Sequence, residues 1–359
     1  MPSLTMAADA PRLPAIPQSW YRICGDRELR KGRVISSALG PRGIVVYRAA
    51  SGRVIAMDAR CPHLGAHLGC GSVDGETLRC ALHHWSCDAD GACRAPTGRG
   101  TIAQTIYPTT ERYGSIFVFA GSEPLFDVPR LEDADPGARP LRVLAARPVL
   151  LQTSWASLAM NAFDIEHMDA IHHRVLREEP AIRLIGRDCL ELKYVSRITG
   201  RGISDRVMRW LSNDRVHATI ECWGGTLIVV KSRVGRVKSR LLLCLTPAGN
   251  GVTVVPIVGR PGGSPIVDAI ALRIGRWLFT SFLARDVVPL AGMELRIDRA
   301  LGLEGPSGWT ARWLVTLPAF GDADNRGRSS VQTFDRRLQD ASEHGEQACD
   351  GVRGTKSPG

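Results

Sequence analysis

The stretch CPHLGAHLGCGSVDGETLRCALHHW, from Cys61 to Trp85, decides the fold of this chain. It contains two short ligand pairs, Cys61-x-His63 and Cys80-x-x-His83, with 16 residues between them. Thiolates and imidazoles are common metal ligands, and a pair this short can close on one metal. The stretch therefore predicts a metal centre held by two loops, with one Cys and one His from each.

Two kinds of metal centre fit these four ligands. A [2Fe–2S] cluster in which two imidazoles replace two thiolates on one iron needs one Cys and one His from each of two loops. A structural zinc ion accepts two Cys and two His equally well. The flanking residues favour the cluster, because Gly65, Gly69 and Gly71 let the first loop wrap closely. Pro62 stiffens the start of that loop, and Trp85 follows the second pair.

Together these residues resemble the Rieske loop pattern C-P-H-x-G-A-x-L-G-x-G…C-x-x-H-x-W. Respiratory Rieske proteins add a disulfide at two positions that hold Ala66 and Leu82 here, so the oxygenase type is favoured. The likeness continues from SWY at Ser19 through ERYGSIFVFAGSEPLF towards the C-terminal half. The chain thus resembles the Rieske non-heme iron oxygenases of α-subunit type, and within them the aminopyrrolnitrin oxygenase and ketosteroid-hydroxylase-like branch.

The remaining cysteines and nearby histidines are not predicted to be ligands. Ten cysteines in a chain of this length are unlikely to form a disulfide framework in a reducing compartment. Structural or surface roles are expected for His67, His84, Cys70, Cys87 and Cys93. Ordinary thiols are expected at Cys24, Cys189, Cys222, Cys244 and Cys349.

A second motif lies in the passage SLAMNAFDIEHMDAIHHRVL, with the arrangement Asn161-x-x-Asp164-x-x-His167-x-x-x-x-His172. It resembles the mononuclear-iron motif of the same family. Two histidines and one carboxylate leave positions open on Fe(II) for O₂ and water. The three-residue steps from Asn161 to His167 predict one face of a helix, but the five-residue step to His172 requires a distortion or a turn. His173 is the alternative, and only the family spacing prefers His172.

The carboxylate ligand must come from far along the chain, and local sequence offers both Asp286 and Asp298. The resemblance favours Asp286, which we expect late in an amphipathic helix from about Pro265 to Leu290. It also assigns Asn161 and Asp164 to the catalytic machinery. In the family, the Asp at the position of Asp164 hydrogen-bonds the iron-bound His and links it to the cluster-ligand His of an adjacent subunit. The resemblance therefore implies that Asp164 bridges His167 to His83 of a neighbouring subunit.

The length of the chain predicts two domains, since 359 residues exceed what one compact core usually organises. The pattern of apolar residues predicts the α+β class. Short apolar runs between Trp20 and about Phe126 indicate antiparallel strands, whereas the second half combines one helical segment near 155–176 with four strand-like runs. We expect a mobile terminus at 1–17, an all-β Rieske domain at 18–135 and a disordered tail at 321–359. The resemblance implies a helix-grip catalytic domain at 136–320.

Charge and hydropathy argue against a nucleic-acid-binding, a secreted and a membrane-spanning protein. The net charge is +10, but the arginines are scattered rather than striped, so nucleic acid is not an expected partner. The N-terminus lacks a basic region followed by an apolar one, which favours a cytoplasmic protein. The uncharged run after Arg240 is cut by Pro247 and Gly249, so two strands explain it better than a membrane span.

The resemblance implies the oxygenase component of a system that uses O₂ to oxygenate a bulky apolar aromatic or polycyclic substrate, by C–H hydroxylation or N-oxygenation. The sequence has no G-x-G-x-x-G unit for a nicotinamide or flavin, so electrons must come from a ferredoxin or an NAD(P)H-dependent reductase. A head-to-tail homotrimer is also implied. A Rieske electron carrier without oxygenase activity and an O- or N-demethylase of the same family stay as alternatives.

Overall fold

The computed structural model describes residues 12–40, 43–132, 139–212, 215–235 and 237–321. Most of the predicted tail at 321–359 and residues 1–11 of the predicted mobile terminus lie outside these ranges. Residues 12–17 do make contacts: Leu13 packs against the large C-terminal core, and Pro17 pairs with Ala319. The N-terminal segment thereby returns to the end of the described chain.

The N-terminal half is built from short antiparallel strands in three sheets, with the orders β1-β12-β11, β10-β4-β3-β2 and β5-β6-β7-β8-β9. The runs IVVYR and VIAMD form strands because β-branched and aromatic residues fit a buried pleated surface. The strands are β1 (Trp20–Gly25), β2 (Val34–Ser37), β3 (Ile44–Arg48), β4 (Val54–Asp58), β5 (Ser72–Asp74), β6 (Thr77–Arg79), β7 (Ser86–Cys87), β8 (Ala92–Arg94), β9 (Thr101–Ala103), β10 (Ile106–Tyr107), β11 (Thr109–Arg112) and β12 (Ser115–Phe119).

The C-terminal half is a nine-stranded antiparallel sheet with helices. Its main strand order is β13-β21-β20-β19-β18-β17-β15, while β14 pairs with β21 and β16 with β17. The strands are β13 (Leu141–Ala145), β14 (Val149–Leu151), β15 (Arg174–Leu176), β16 (Ala181–Ile185), β17 (Cys189–Ile198), β18 (Val216–Trp223), β19 (Leu227–Val234), β20 (Val237–Ala248) and β21 (Gly251–Pro261). The helices are α1 (Trp155–Phe163), α2 (Ile165–Ala170), α3 (Ile203–Ser212), α4 (Pro265–Leu283), α5 (Val287–Leu290), α6 (Ile297–Ala300) and α7 (Gly305–Leu314).

The large sheet is buried on both faces, as the alternation along β19 shows. Leu227 and Val229 point to a core that they share with Trp20 of the N-terminal half. Ile228 and Val230 point to the opposite core, which contains α1 and α7. The sheet therefore separates the N-terminal half from the helices.

The four strand-like runs of the second half are present as β18 to β21, and the uncharged run after Arg240 forms parts of β20 and β21. None of the helices in the described ranges has the length and apolar character needed to traverse a bilayer.

The predicted helix at 155–176 is wrong in its extent, and so is the shared helix face of Asn161, Asp164 and His167. The chain leaves the helical conformation at Asp164, where ψ is 106°. The Asp164 side chain accepts a hydrogen bond from the backbone N–H of His167 at 3.1 Å, so it caps a new helix instead of continuing the first. Of the two alternatives for the step to His172, a distorted helix or a turn, the structure has the turn, since α2 ends at Ala170.

The predicted helix from Pro265 to Leu290 is also interrupted. Helix α4 ends at Leu283, and a turn containing Arg285 and Asp286 leads into α5. Pro289 explains the break, because proline lacks the N–H that would bond to residue 285 and its ring would clash with that carbonyl. Asp286 therefore lies in a turn between two helices rather than inside one.

Candidate metal centres and the cavity between sheet and helix

The two loops of the N-terminal motif have the same backbone hydrogen-bond pattern. In the first loop, Cys61 N–H donates to the Ala66 carbonyl and Gly65 N–H donates to the Cys61 carbonyl, both at 2.8 Å. In the second, Cys80 N–H donates to Trp85 at 2.8 Å and His84 N–H donates to Cys80 at 3.1 Å.

Both loops turn through a residue with positive φ, 79° at Gly65 and 56° at His84. His84 thus has a backbone role that the sequence analysis described only as structural or on the surface.

The four predicted cluster ligands are arranged as a pair of thiols and a pair of imidazoles. Cys61 and Cys80 are both buried and interact through their side chains. The rings of His63 and His83 have centroids 5.0 Å apart, and His83 is exposed. Trp85 stacks on His63 at 4.8 Å. This separation of sulfur from nitrogen matches a cluster in which one iron carries two thiolates and the other two imidazoles.

A single zinc ion fits this arrangement poorly. Four tetrahedral ligands at about 2.0 to 2.3 Å from one ion would all lie within about 4 Å of each other. In the described part of the chain, one group of three or more such side chains has all its ligand atoms within 4.8 Å, and it belongs to the second motif. The geometry therefore favours a binuclear cluster over structural zinc at the first motif.

The other cysteines have separate roles. Cys87 and Cys93 form a disulfide between directly opposite positions of β7 and β8, although the sequence argued against disulfides in general. Burial raises the pKa of Cys24 to about 11 and that of Cys244 to about 12, which makes both poor nucleophiles and agrees with ordinary core thiols. Cys189 and Cys222 are buried free thiols as well, while Cys349 lies outside the described residues.

The second motif brings three potential ligand atoms together. Asp286 Oδ1 lies 2.8 Å from His167 Nε2 and 2.9 Å from His172 Nε2, and the two imidazole nitrogens are 3.1 Å apart. An ion with bonds of about 2.1 Å places neighbouring octahedral ligand atoms about 3.0 Å apart. The three atoms therefore fit one face of the coordination sphere of a mononuclear iron.

The electrostatics of the three residues also suit a metal. Burial lowers the pKa of His172, which keeps its imidazole in the neutral form that binds metals. At Asp286, burial acts to raise the pKa, but the neighbouring imidazoles of His167 and His172 outweigh it, so the pKa is lowered and the carboxylate is ionised. Phe282 stacks on the His172 ring with centroids 3.6 Å apart and fixes its orientation.

Phe282 was not predicted from the sequence to belong to the site. The feature that could have identified it is its position on an apolar helix, four residues before Asp286.

The alternatives to these ligands lie elsewhere. His173 is exposed and has φ of 55°, and its backbone carbonyl accepts hydrogen bonds from Thr199. The Asp298 side chain is 62% exposed and pairs with Arg296 at 2.8 Å. Neither residue belongs to the group of ligand atoms formed by His167, His172 and Asp286.

Asp164 and Asn161 flank the same centre. The described contact of Asp164 is its cap on the His167 backbone, and the predicted hydrogen bond to the His167 ring is not among the side-chain hydrogen bonds of the described residues. Asn161 lines the cavity described next. A bridge from Asp164 to His83 of another subunit stays a prediction, because the structure contains one chain.

A cavity of about 870 Å³ lies between the inner face of the large sheet and helix α4, and it reaches His172 and Asp286. Its size is at the upper end of ordinary ligand pockets. The middle of the cavity is apolar, with walls that include Leu158, Ile220, Val230, Leu243 and Phe279. The arrangement places a largely apolar chamber beside His172 and Asp286, two of the three residues that could hold a metal ion.

Comparisons with known proteins agree with this geometry. Residues 19–106 match the family model of the Rieske [2Fe-2S] domain. The chain is 26% identical over 274 residues to the aminopyrrolnitrin oxygenase of Pseudomonas fluorescens, covering 66% of this chain and 72% of that protein. It is 32% identical over 172 residues to the cholesterol 7-desaturase of Bombyx mori, covering 44% of this chain and 36% of that protein. The chain thus spans little more than a third of the second relative.

Solved structures show the same fold. Dicamba monooxygenase bound to dicamba superposes with a TM-score of 0.61 at 18% identity, covering 85% of this chain and 98% of the other. The chain carries a Rieske [2Fe–2S] domain and is similar to Rieske non-heme iron oxygenases over most of its length. It is an oxidoreductase that uses O₂, the oxygenase component of its system, and its cofactors are a Rieske [2Fe–2S] cluster and a mononuclear iron. The predicted family and the α+β fold are confirmed.

Proposed function

We propose that this chain inserts one oxygen atom from O₂ into a bulky, largely apolar aromatic or polycyclic substrate, by C–H hydroxylation or N-oxygenation. The observation that carries the proposal is the cavity of about 870 Å³, whose apolar walls end at His172 and Asp286. A chamber of this size accommodates several fused rings and places them beside the converging ligand atoms. An electron carrier would have no use for such a chamber, so this alternative loses support.

In this proposal, Cys61, His63, Cys80 and His83 hold the cluster, and His167, His172 and Asp286 hold the mononuclear iron. When bound, the cluster relays single electrons and the iron activates O₂ for transfer to the substrate.

The protein itself supplies position and exclusion of water. The side chains of His172 and Asp286 are almost fully buried, so the triad is shielded from bulk water. Phe282 holds the His172 ring in one orientation. The apolar walls bind the substrate rings by burial of surface and limit which atom approaches the triad.

We also propose the predicted homotrimer, in which the exposed His83 of one subunit faces Asp164 of the next. The apolar side chains of Leu64 and Leu82 flank the cluster loops and are exposed in the single chain, which supports burial of this tip against a neighbour. Asn161 and Asp164 would then position the iron-bound His167 and link the two centres. The domains in this arrangement are residues 18–135 for the cluster and 136–320 for the mononuclear iron.

Electrons would come from a ferredoxin or an NAD(P)H-dependent reductase. The exposed Arg60, Arg79 and Arg94 surround the cluster loops and could steer an acidic partner. Replacing Arg60 and Arg79 together by Glu should slow reduction of the cluster at low salt, as followed by stopped-flow absorbance, whereas the reversal of the distant Arg273 should not. Equal rates in the three proteins would remove the steering role.

Two measurements test the proposed activity. Anaerobically purified protein should contain about three iron atoms and about two sulfides per chain, without stoichiometric zinc. With a surrogate reductase, it should consume O₂ and convert members of a panel of polycyclic aromatic compounds, and His167→Ala should abolish conversion while keeping the visible cluster spectrum. Conversion that survives in His167→Ala would refute the assignment of the reaction to this centre.

A further inference from the structure

Four residues that line the cavity have a buried polar atom without a partner among the described residues, and two of them, Arg174 and Ser196, lie on the sheet away from the metal-ligand candidates. The atoms are Nη1 of Arg174, a residue that is 8% exposed, and Oγ of Ser196, which is fully buried. Both residues line the cavity. An unpaired buried donor costs free energy comparable to a lost hydrogen bond, so such atoms are retained where a ligand supplies the missing acceptor.

The two residues are neighbours on one face of the sheet. Arg174 is opposite Ile198 and Leu176 is opposite Ser196 in the pairing of β15 with β17. Side chains two residues apart on a strand share a face, so Ser196 and Ile198 point to the same side, as does Arg174. Arg174 and Ser196 are thus diagonal partners that present a guanidinium and a hydroxyl to the same part of the cavity.

The nearby charged residues leave Arg174 without a direct ion pair among the described residues. The carboxylate of Asp205 lines the same part of the cavity, but it pairs with Arg285 at 2.6 Å. Arg174 forms no ion pair with any residue that the structure describes, and Nη1 of Arg285 is also buried without a partner. By contrast, Arg260, which also lines the cavity, has an ion pair with Asp268 at 3.3 Å. Asp205 pairs directly with Arg285 and acts on Arg174 only through its charge, so the two guanidinium groups share one carboxylate and one positive charge is left over.

We propose that Arg174 and Ser196 bind an oxyanion of the substrate, so that the substrate class is a polycyclic or aromatic compound with a carboxylate group. This inference rests on the proposed function, because it names the substrate of the same cavity. A carboxylate can accept two parallel hydrogen bonds from a guanidinium and a further one from a hydroxyl. The apolar walls then take the rings, and the oxyanion fixes which end of the molecule lies beside Arg174.

Binding of a matched pair of probes tests the inference without turnover. The probes are 1-pyrenebutyrate and the neutral 1-pyrenebutanol, titrated into the anaerobic holoenzyme and followed by fluorescence anisotropy. Wild-type protein should bind the carboxylate about 10-fold or more tightly than the alcohol, which corresponds to about 1.4 kcal/mol or more.

Variants assign the preference to the two residues. Arg174→Met keeps the apolar stem and should abolish the preference, Arg174→Lys should keep part of it, and Ser196→Ala should reduce it severalfold. The matched control is Arg273→Met, which removes the same charge from the exposed side of α4 and should leave the preference unchanged.

Three results would overturn the inference: absence of carboxylate binding, equal binding of the two probes to the wild type, or a preference that survives in Arg174→Met. His167→Ala separates this inference from the proposed function. Oxygenation should be lost in that variant, whereas the carboxylate preference should remain. Loss of the preference there would mean that the metal, not Arg174, binds the carboxylate. Conversion of neutral substrates without any carboxylate preference would leave the proposed function standing and the inference refuted.

Discussion

Replacement of Asp286 by Ala tests the metal centre most directly. The carboxylate oxygen of Asp286 is one of three ligand atoms that lie 2.8 to 3.1 Å from one another, and it is the one furthest along the chain from the others. Its removal leaves two imidazoles, which is too few for a stable Fe(II) site. Loss of an outer-shell partner alone costs about 10- to 100-fold in metal affinity, so loss of a direct ligand should exceed about 100-fold.

A loss of about 100-fold corresponds to about 2.8 kcal/mol of binding free energy. Asp286→Ala should therefore contain about two iron atoms per chain instead of about three, with about two sulfides in both proteins. The visible spectrum of the cluster should persist, because its four proposed ligands lie in the other half of the chain. Iron and sulfide analysis after gel filtration under anaerobic conditions measures both quantities.

Asp298→Ala is the matched control. Asp298 was the alternative ligand in the sequence, and its exposed carboxylate pairs with Arg296. This variant should keep about three iron atoms per chain. A normal iron content in Asp286→Ala, or a loss of one iron in Asp298→Ala, would refute the ligand assignment.

Three further predictions concern the fold, the first motif and the cavity. Ser154→Ala removes the cap of α1, which accepts from the Ser157 N–H at 3.0 Å, and should cost about 1 kcal/mol, lowering Tm by about 2 to 4 °C in calorimetry; an unchanged Tm would count against the cap. The double variant Cys87→Ser, Cys93→Ser should retain iron and sulfide, and loss of sulfide on analysis would contradict the proposed ligand set. Ala218→Phe places a ring in the cavity and should weaken 1-pyrenebutyrate binding about 10-fold or more without loss of iron; unaltered anisotropy titrations would show that the probe binds elsewhere.

Much of the first metal centre follows from sequence because its ligands lie within 25 residues of one another. A Cys and a His two or three positions apart have few ways to reach the same metal, so the spacing of Cys61 with His63 and of Cys80 with His83 already limits the geometry. The glycine at position 65 likewise predicts the positive φ that the loop requires. The equivalent role of His84 was not predicted, because residues other than glycine seldom adopt this conformation.

The second motif was only partly predictable. Its spacing indicated two histidines and a distortion or a turn before His172, but helical periodicity wrongly placed Asn161, Asp164 and His167 on one face. A capping aspartate and a helix-continuing aspartate have the same sequence signal, and the choice depends on whether the side chain captures a backbone N–H. The sequence also does not fix where the helix before Pro289 ends, so it does not show whether Asp286 lies inside a helix or in a turn.

The sequence by itself determined the kind of centre, the class of fold and the family, because local spacing constrains ligands that share a loop or a helical turn. Only the tertiary structure places Asp286, and not Asp298, beside the two histidines, since Asp286 lies 119 residues from His167 and its approach depends on how α4 packs over the sheet. The tertiary structure also places Arg174 and Ser196, each with a buried polar atom that has no hydrogen-bond partner among the described residues, in the wall of the same cavity. Neither residue has a signal in the sequence, because an unpaired donor is defined by what surrounds it in space and not by its neighbours along the chain.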